Sequence, residues 1–361
     1  MAGSTRITRH LHRMLGSACV AVLLGLAAAQ SAAAQDAYWQ GRIDTIWEHG
    51  IDTVFDESNW YTKPVEGRVR PPPAGTAFFA QGAFETDIRI TAGTEVAALI
   101  VEPNNHEYSF TVEERGDLGI LGAGIFNKAS TPLRITISGT LEMHNAAQFS
   151  ASGSLKSAVI KVRETGDLFM TGISRGGNAE VKNNGGLVSF SCFASADRME
   201  ITNTYAFPFD RGGSVLFGGH STGGDARFVN LGYGRLDFSE TRGPLGNNIV
   251  TAGAIYSDGD IFVGLNKLVV ARNFKFGGGT GFHELFIDLI GGRAGSVHVK
   301  GNLDLGHESR LHVVWDSAKR KPGRYLLLSH EGARSGSINL VDNGLHGRLE
   351  RLPNEIWLIV P

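Results

Sequence analysis

The sequence predicts an all-β protein, a single-stranded, right-handed parallel β-helix with N- and C-terminal caps. Three observations predict it. Glycine makes up 48 of 361 residues, about 13%, nearly twice the ~7% usual in globular chains, without the strict Gly-X-Y period of collagen. A glycine followed at +2 and +4 by apolar residues recurs at Gly116/Leu118/Ile120, Gly139/Leu141/Met143, Gly166/Leu168/Met170, Gly213/Val215/Phe217, Gly234/Leu236/Phe238, Gly259/Ile261/Val263 and Gly301/Leu303/Leu305. No amphipathic helical run competes after position 34, apart from a short turn around residues 45–53.

The repeat carries the argument. Gly185/Leu187 reads as a weaker copy that fails at Ser189, where the apolar register moves to Val188 and Phe190. Taking the long gap from Gly259 to Gly301 as two turns gives about 23 residues per repeat, a solenoid-scale period. A second arm with the same parity precedes several glycines: Ile135/Ile137, Ile160/Val162 and Phe228/Asn230. Period-2 alternation puts one row of side chains on one face of each arm. A coil of such arms cannot bury its inward row alone; stacked coils can, and only the two ends stay open. About eleven coils are expected between Ala77 and Gly347.

Residues 1–34 read as a secretory signal. Arg6, Arg9 and Arg13 form a positive start, residues 18–29 an apolar run, and Ala32-Ala33-Ala34 a small-residue cleavage site before Gln35. The run is too short to span a bilayer. The sequence therefore divides into signal peptide 1–34, N-terminal cap 35–76, β-helix 77–294 and C-terminal coils 295–361. Removing the three leader arginines from the 34 basic residues leaves 31 against 36 acids, a mature charge of −5. No basic stripe for nucleic acid results. With 19% charged and 42% hydrophobic residues the chain is not disordered. Only Cys192 remains after the leader, so a disulfide framework is excluded and Cys192 reads as a small buried hydrophobe.

The order of motifs resembles the passenger region of bacterial autotransporters. It runs from Asn59-Trp60 through Pro71-Pro72-Pro73, Thr76-Ala77-Phe78 and the strand around Ile88 to LGILGAGIFN at 118–127 and ITISGTL at 135–141. GDIFVGLNKLVVA at 259–271 is similar to the coil G-x-x-x-L-G-x-N-x-L-x-V, and GSVHVKGNLDL at 295–305 with NEIWLIVP at 354–361 is similar to the end of such passengers. The resemblance implies that residues 295–361 cap the coils and template their folding. It also implies a departure: no translocator barrel follows, so crossing an outer membrane depends on a separate barrel or export protein.

Chemistry-bearing motifs are sparse. Gly172-Ile173-Ser174-Arg175-Gly176 and Gly219-His220-Ser221-Thr222-Gly223 match the serine-hydrolase elbow, but no helix follows either. His283-Glu284 opens a zincin-like motif whose second ligand position is Ile287. His307 and His312 are read as solvent-facing. Asp258/Asp260 and Asp237 with Glu240 could serve a polysaccharide lyase or hydrolase if Asp210, Asp225, Asp237 and Asp258 shared one groove. Asn183, Asn203 and Asn230 occupy similar places in their repeats and read as a stacking ladder. Trp39, Trp47, Trp60 and Tyr61 read as a plug over the open end. No catalytic, cofactor-binding or metal-binding residue is assigned. The expectation is an exported, non-enzymatic and adhesive surface protein, in the periplasm, on the cell surface or secreted. Its partners would be a host or matrix surface or a separate barrel protein. The alternative is a polysaccharide-active β-helix enzyme.

Overall fold

A computed structural model describes residues 36–41, 44–47, 51–52, 57–61, 74–80, 82–103, 107–151, 156–206, 211–278, 283–316, 321–341 and 344–361. The leader with its Ala34/Gln35 junction, the prolines at 71–73 and Asp210 lie outside them. The chain is all-β and winds as a parallel β-solenoid of about ten turns, with no helix among the described residues. No helix there is long and apolar enough to cross a membrane. Two compact units divide it, one reaching Ser189 and the other beginning at Phe190.

In the first unit each coil contributes to three walls, and residues of matching parity stack in register. One wall stacks Ile88, Phe110, Ile135, Ile160 and Val181. Another stacks Leu118, Leu141 and Leu168. The third stacks Ala77, Leu99, Ile125 and Phe149. All twelve are 2% exposed or less. At roughly 1.5–3 kcal/mol for each large aliphatic side chain removed from water, this inward column is the main stabilising term. The repeat glycines allow close backbone approach: a Cβ on Gly166 would run into the carbonyl oxygen of Ile137 on the previous coil. The apparently failed repeat is a full copy displaced by one residue. Gly186 stacks on Gly166, Leu187 N–H donates to the Gly166 carbonyl at 3.0 Å, and Val188 and Phe190 face the core.

Aromatic residues fill the start of this unit. The indoles of Trp39, Trp47 and Trp60 are at most 2% exposed and pack edge-to-face or tilted on one another, with Phe79 and Phe110 beneath Trp47. Trp60 Nε1 donates to the Trp47 carbonyl at 2.9 Å and Trp39 Nε1 to that of Glu85 at 2.8 Å. Residues buried in this way plug the coil and offer no indole face to a sugar.

The second unit repeats the three-walled plan. Ile201, Phe228, Ile255, Phe274 and Leu303 stack on one wall, and Val215, Leu236, Ile261, Leu285 and Leu311 on another. Val250, Leu268, Val297 and Leu328 form the third. This register corrects one repeat assignment. Gly301/Leu303/Leu305 continues the Phe274 wall, not the Ile261 wall, because each coil has several glycine-marked bends and a period cannot say which bend it counts. The asparagine ladder forms: Asn203 Nδ2 donates to Asn230 Oδ1 at 2.8 Å, and Asn230 Nδ2 to Ser257 Oγ at 3.1 Å and to the Gly234 carbonyl at 2.9 Å. In the first unit Asn183 Nδ2 donates to the Gly186 carbonyl at 3.0 Å.

Parallel winding stops at the C-terminus. Gly323–His330 pairs antiparallel with Glu355–Val360, which pairs antiparallel with Arg348–Arg351. Ile356, Leu358 and Val360 turn inward, while Arg348, Glu350 and Arg351 put charge on the outer strand, a pattern that blunts edge pairing.

Cys192 departs from expectation. It is half-buried at a corner with φ +58°, outside the inward-facing row of the core. The inward alternation ends at Phe190, and the chain turns before reaching it.

Candidate functional site

The two hydrolase-like motifs are solenoid corners. In the first unit Gly172 lies at φ +67°, Ile173 N–H donates to the Asn145 carbonyl at 2.7 Å and Arg175 N–H to that of Ala147 at 3.0 Å. In the second, Gly219 lies at φ +66°, His220 N–H donates to the Cys192 carbonyl at 2.6 Å and Thr222 N–H to that of Ala194 at 3.1 Å. Ser174 therefore stacks where Ala147 sits one coil earlier, and Ser221 where Ala194 sits. All four are fully buried, and neither serine hydroxyl has a hydrogen-bond partner. A nucleophile needs an exposed Oγ beside a base; these serines are small inward corner residues.

The zincin-like segment is a strand. His283 points inward at 1% exposure, its Nδ1–H donates to the Asp258 carbonyl at 2.8 Å, and Glu284 faces the opposite way. No group of three metal-ligating side chains is assembled among the described residues. His312 is not solvent-facing: it is half-buried, stacked on Phe286 at 4.8 Å, with Nε2 3.1 Å from Glu284 Oε1. His307 is exposed, as expected.

Outward side chains gather into two polar strips, one on each unit. The first is built on Thr140–Met143, where Leu141 and Met143 face in and Glu142 faces out. Glu142 lies in register with Gly119, which lies in register with Glu95, so the missing side chain leaves room between two carboxylates. His144 Nε2 meets Glu142 Oε2 at 2.6 Å, and its Nδ1 meets Thr171 Oγ1 of the next coil at 3.2 Å. The hydrogen bond to Glu142 raises the His144 pKa, and the same bond lowers that of Glu142. Burial, then the charges of Glu142 and Glu95, raise Asp117; burial raises Asp167.

Thr171, His144 and Glu142 stand in the order of nucleophile, base and acid. Acyl transfer also needs N–H donors aimed at a developing oxyanion. The N–H groups of Thr171, Ile173, Ser174 and Arg175 are all committed to carbonyls of the fold. The arrangement holds a proton between Glu142 and His144 and ties two coils together.

The second strip runs over Arg235, Asp260 and Glu284 in one register column and Asp237, Phe262, Phe286 and His312 in the next. Asp237 is 5% exposed; it pairs with the Arg235 guanidinium and accepts the Ser239 N–H at 2.8 Å. Glu240 is exposed, so the acidic spot expected from the two does not form. Arg235 lies 4.2 Å over Phe262, Phe262 stacks on Phe286 at 4.3 Å, and Phe286 stacks on His312. Ring faces are thus covered from both sides. Burial first, then the charge of Glu284, pushes Asp260 up to about 6. Asp225 sits on a corner and Asp258 in a turn, apart from Asp237 on its strand.

Sequence reading singled out Asp237, Asp258 and Asp260 but missed His144, Thr171, Phe262 and Phe286. Glu142 and His144 share parity, which was readable; their partner Thr171 comes from the next coil, which was not. No protein-family model, curated protein or solved structure matches the chain.

Proposed function

We propose that the chain is an exported, non-enzymatic surface or interaction protein, adhesive in action and similar in plan to an autotransporter passenger. One observation carries this reading: the serine, histidine and buried-aspartate motifs that could have been catalytic are used by the solenoid itself. Ser174 and Ser221 fill corners, His283 fills the core, Asp237 is neutralised by Arg235, and Glu142, His144 and Thr171 link coils. What remains is a stiff stacked surface suited to repeated contacts.

Cell fractionation tests it. Expressing cells are separated into cytoplasm, periplasm, envelope and medium, and the recovered protein is sequenced from its N-terminus. A chain beginning at Gln35 outside the cytoplasm is expected; uncleaved chain in the cytoplasm overturns the export reading.

A polysaccharide-active enzyme is the second reading, and Asp260 favours it. A carboxyl whose pKa is raised to about 6 by burial and by Glu284 on the adjacent coil is suited to act as a general acid. Release of reducing or unsaturated ends from acidic and neutral polysaccharides, abolished by Asp260→Asn or Glu284→Gln, would establish it and displace the non-enzymatic reading.

A further inference from the structure

In the first unit, one row of turns alternates in length. Val112, Ile137 and Val162 stack in register, as do Asp117, Thr140 and Asp167. Four residues join the walls at 113–116 and again at 163–166, but only Ser138 and Gly139 join them on the coil between. Each long turn is closed by its glycine: Gly116 N–H donates to the Glu113 carbonyl at 2.8 Å, and Gly166 N–H to that of Arg163 at 2.9 Å. The short turn is recessed between two projecting ones. The result is a notch of about 530 Å³ whose lining includes Thr111, Ser138, Glu113, Glu114, Arg115 and Arg163.

The charges there are uneven. Glu113 Oε1 accepts from Arg89 Nε at 2.7 Å and is compensated. Arg115 and Arg163 are exposed and make no ion pair among the described residues. Two unpaired guanidiniums thus face one uncompensated carboxylate, Glu114, in a chain that is acidic as a whole. Their turns lie two coils apart, about 10 Å at the ~4.8 Å strand spacing. Guanidinium forks match carboxylate and sulfate oxygens, and this separation favours a ligand with anionic groups on successive units over a single small ion. The hydroxyls of Thr111 and Ser138 each donate once and accept twice, which suits exchange of hydrogen bonds with ring hydroxyls.

We propose that this notch binds an acidic saccharide, one carrying carboxylate or sulfate groups, with Arg115 and Arg163 gripping the anions and Thr111 and Ser138 the ring hydroxyls. The proposal deepens the surface-protein reading and rests on it for biological purpose, but not for its measurement. Binding is read on the purified full chain, so cytoplasmic recovery would remove the export reading and leave this one standing.

Isothermal titration uses four probes of matched length: a uronic-acid oligosaccharide, a sulfated oligosaccharide, a neutral glucan oligomer and a poly-glutamate peptide. The two acidic saccharides are expected to bind, with the stronger naming the anion, and the neutral sugar and the peptide to bind at least about tenfold more weakly. The Arg115→Gln/Arg163→Gln double variant, altered only on exposed turns, should lose at least about tenfold with an unchanged circular dichroism melt. Ser138→Leu, which fills the notch without changing charge, should lose a comparable factor, and Lys128→Gln, an exposed cation elsewhere, should lose nothing. Wild-type affinity in the double variant, equal binding of the neutral glucan, or peptide binding as tight as saccharide binding would each overturn the proposal.

Discussion

The polar strips on the two units solve one problem in different ways. Along Glu95, Asp117, Glu142 and His144 the main bond lies within a single coil, between residues two apart, and Thr171 adds a link to the next. Along Arg235, Phe262, Phe286 and His312 the groups sandwich one another coil upon coil, and a buried carboxylate, Asp237, sits under the first of them. A strip bonded within a coil tunes protonation, whereas a strip bonded between coils carries load.

The largest effect is expected at Arg235. Arg235→Ala strands Asp237 at 5% exposure; the cost should be about 2–3 kcal/mol in urea unfolding, below the ~3–5 of a fully buried pair because the arginine is itself partly solvated. Adding Asp237→Asn should recover part of it, and full additivity of the two would refute the coupling. Phe286→Ala, which removes the middle of the sandwich, should cost about 1–2 kcal/mol by the same assay. An effect confined to the ~0.5 of ordinary surface changes would mean that the stack carries no load.

Smaller effects separate the strips by pH. The His144 pKa is raised, so its contribution is present below its ordinary 6.5 and is lost as pH climbs through the folded value. That of Glu142 is lowered, so its contribution is present above 4.5 and is lost as pH falls through the folded value. The pair therefore stabilises most between pH 4.5 and 6.5, and His144→Gln should flatten a melting-temperature profile across that window. Asp260 has the opposite sign. Its folded value of about 6 exceeds the ordinary 3.8, so the folded state holds the extra proton, and stability falls between those pH values and is level above them. Asp260→Asn should remove that slope and raise the melting temperature slightly at pH 7; a lower one would show that Arg235 outweighs Glu284 there.

Much of the fold was legible because stacking leaves a local signature. Leu118, Leu141 and Leu168 had to be apolar at one phase of a short repeat, and Gly116, Gly139 and Gly166 had to lack side chains where backbones meet. The asparagine ladder and the tryptophan plug were readable for the same reason: each is a buried polar or aromatic residue at a fixed place in its coil. Misreadings arose where several bends per coil look alike, at Gly186 and at Gly301. Cys192 was misplaced because strand alternation does not announce its own end. Of the notch, the unequal turns 113–116, 138–139 and 163–166 were visible in the repeats, but their meaning depended on knowing which turns are neighbours.

The sequence by itself determined that the chain winds and which face of each strand is dry, since hydrophobic burial acts residue by residue with the period of the strand. The tertiary structure alone decided which residue of one coil lies above which residue of the next. That register turned Glu142, His144 and Thr171 into a link between coils, Phe262 and Phe286 into a stack, and a turn shorter by two residues into an open notch. Side-chain chemistry between coils depends on contacts across some two dozen residues of chain, and coil length varies from turn to turn, so no local pattern encodes it.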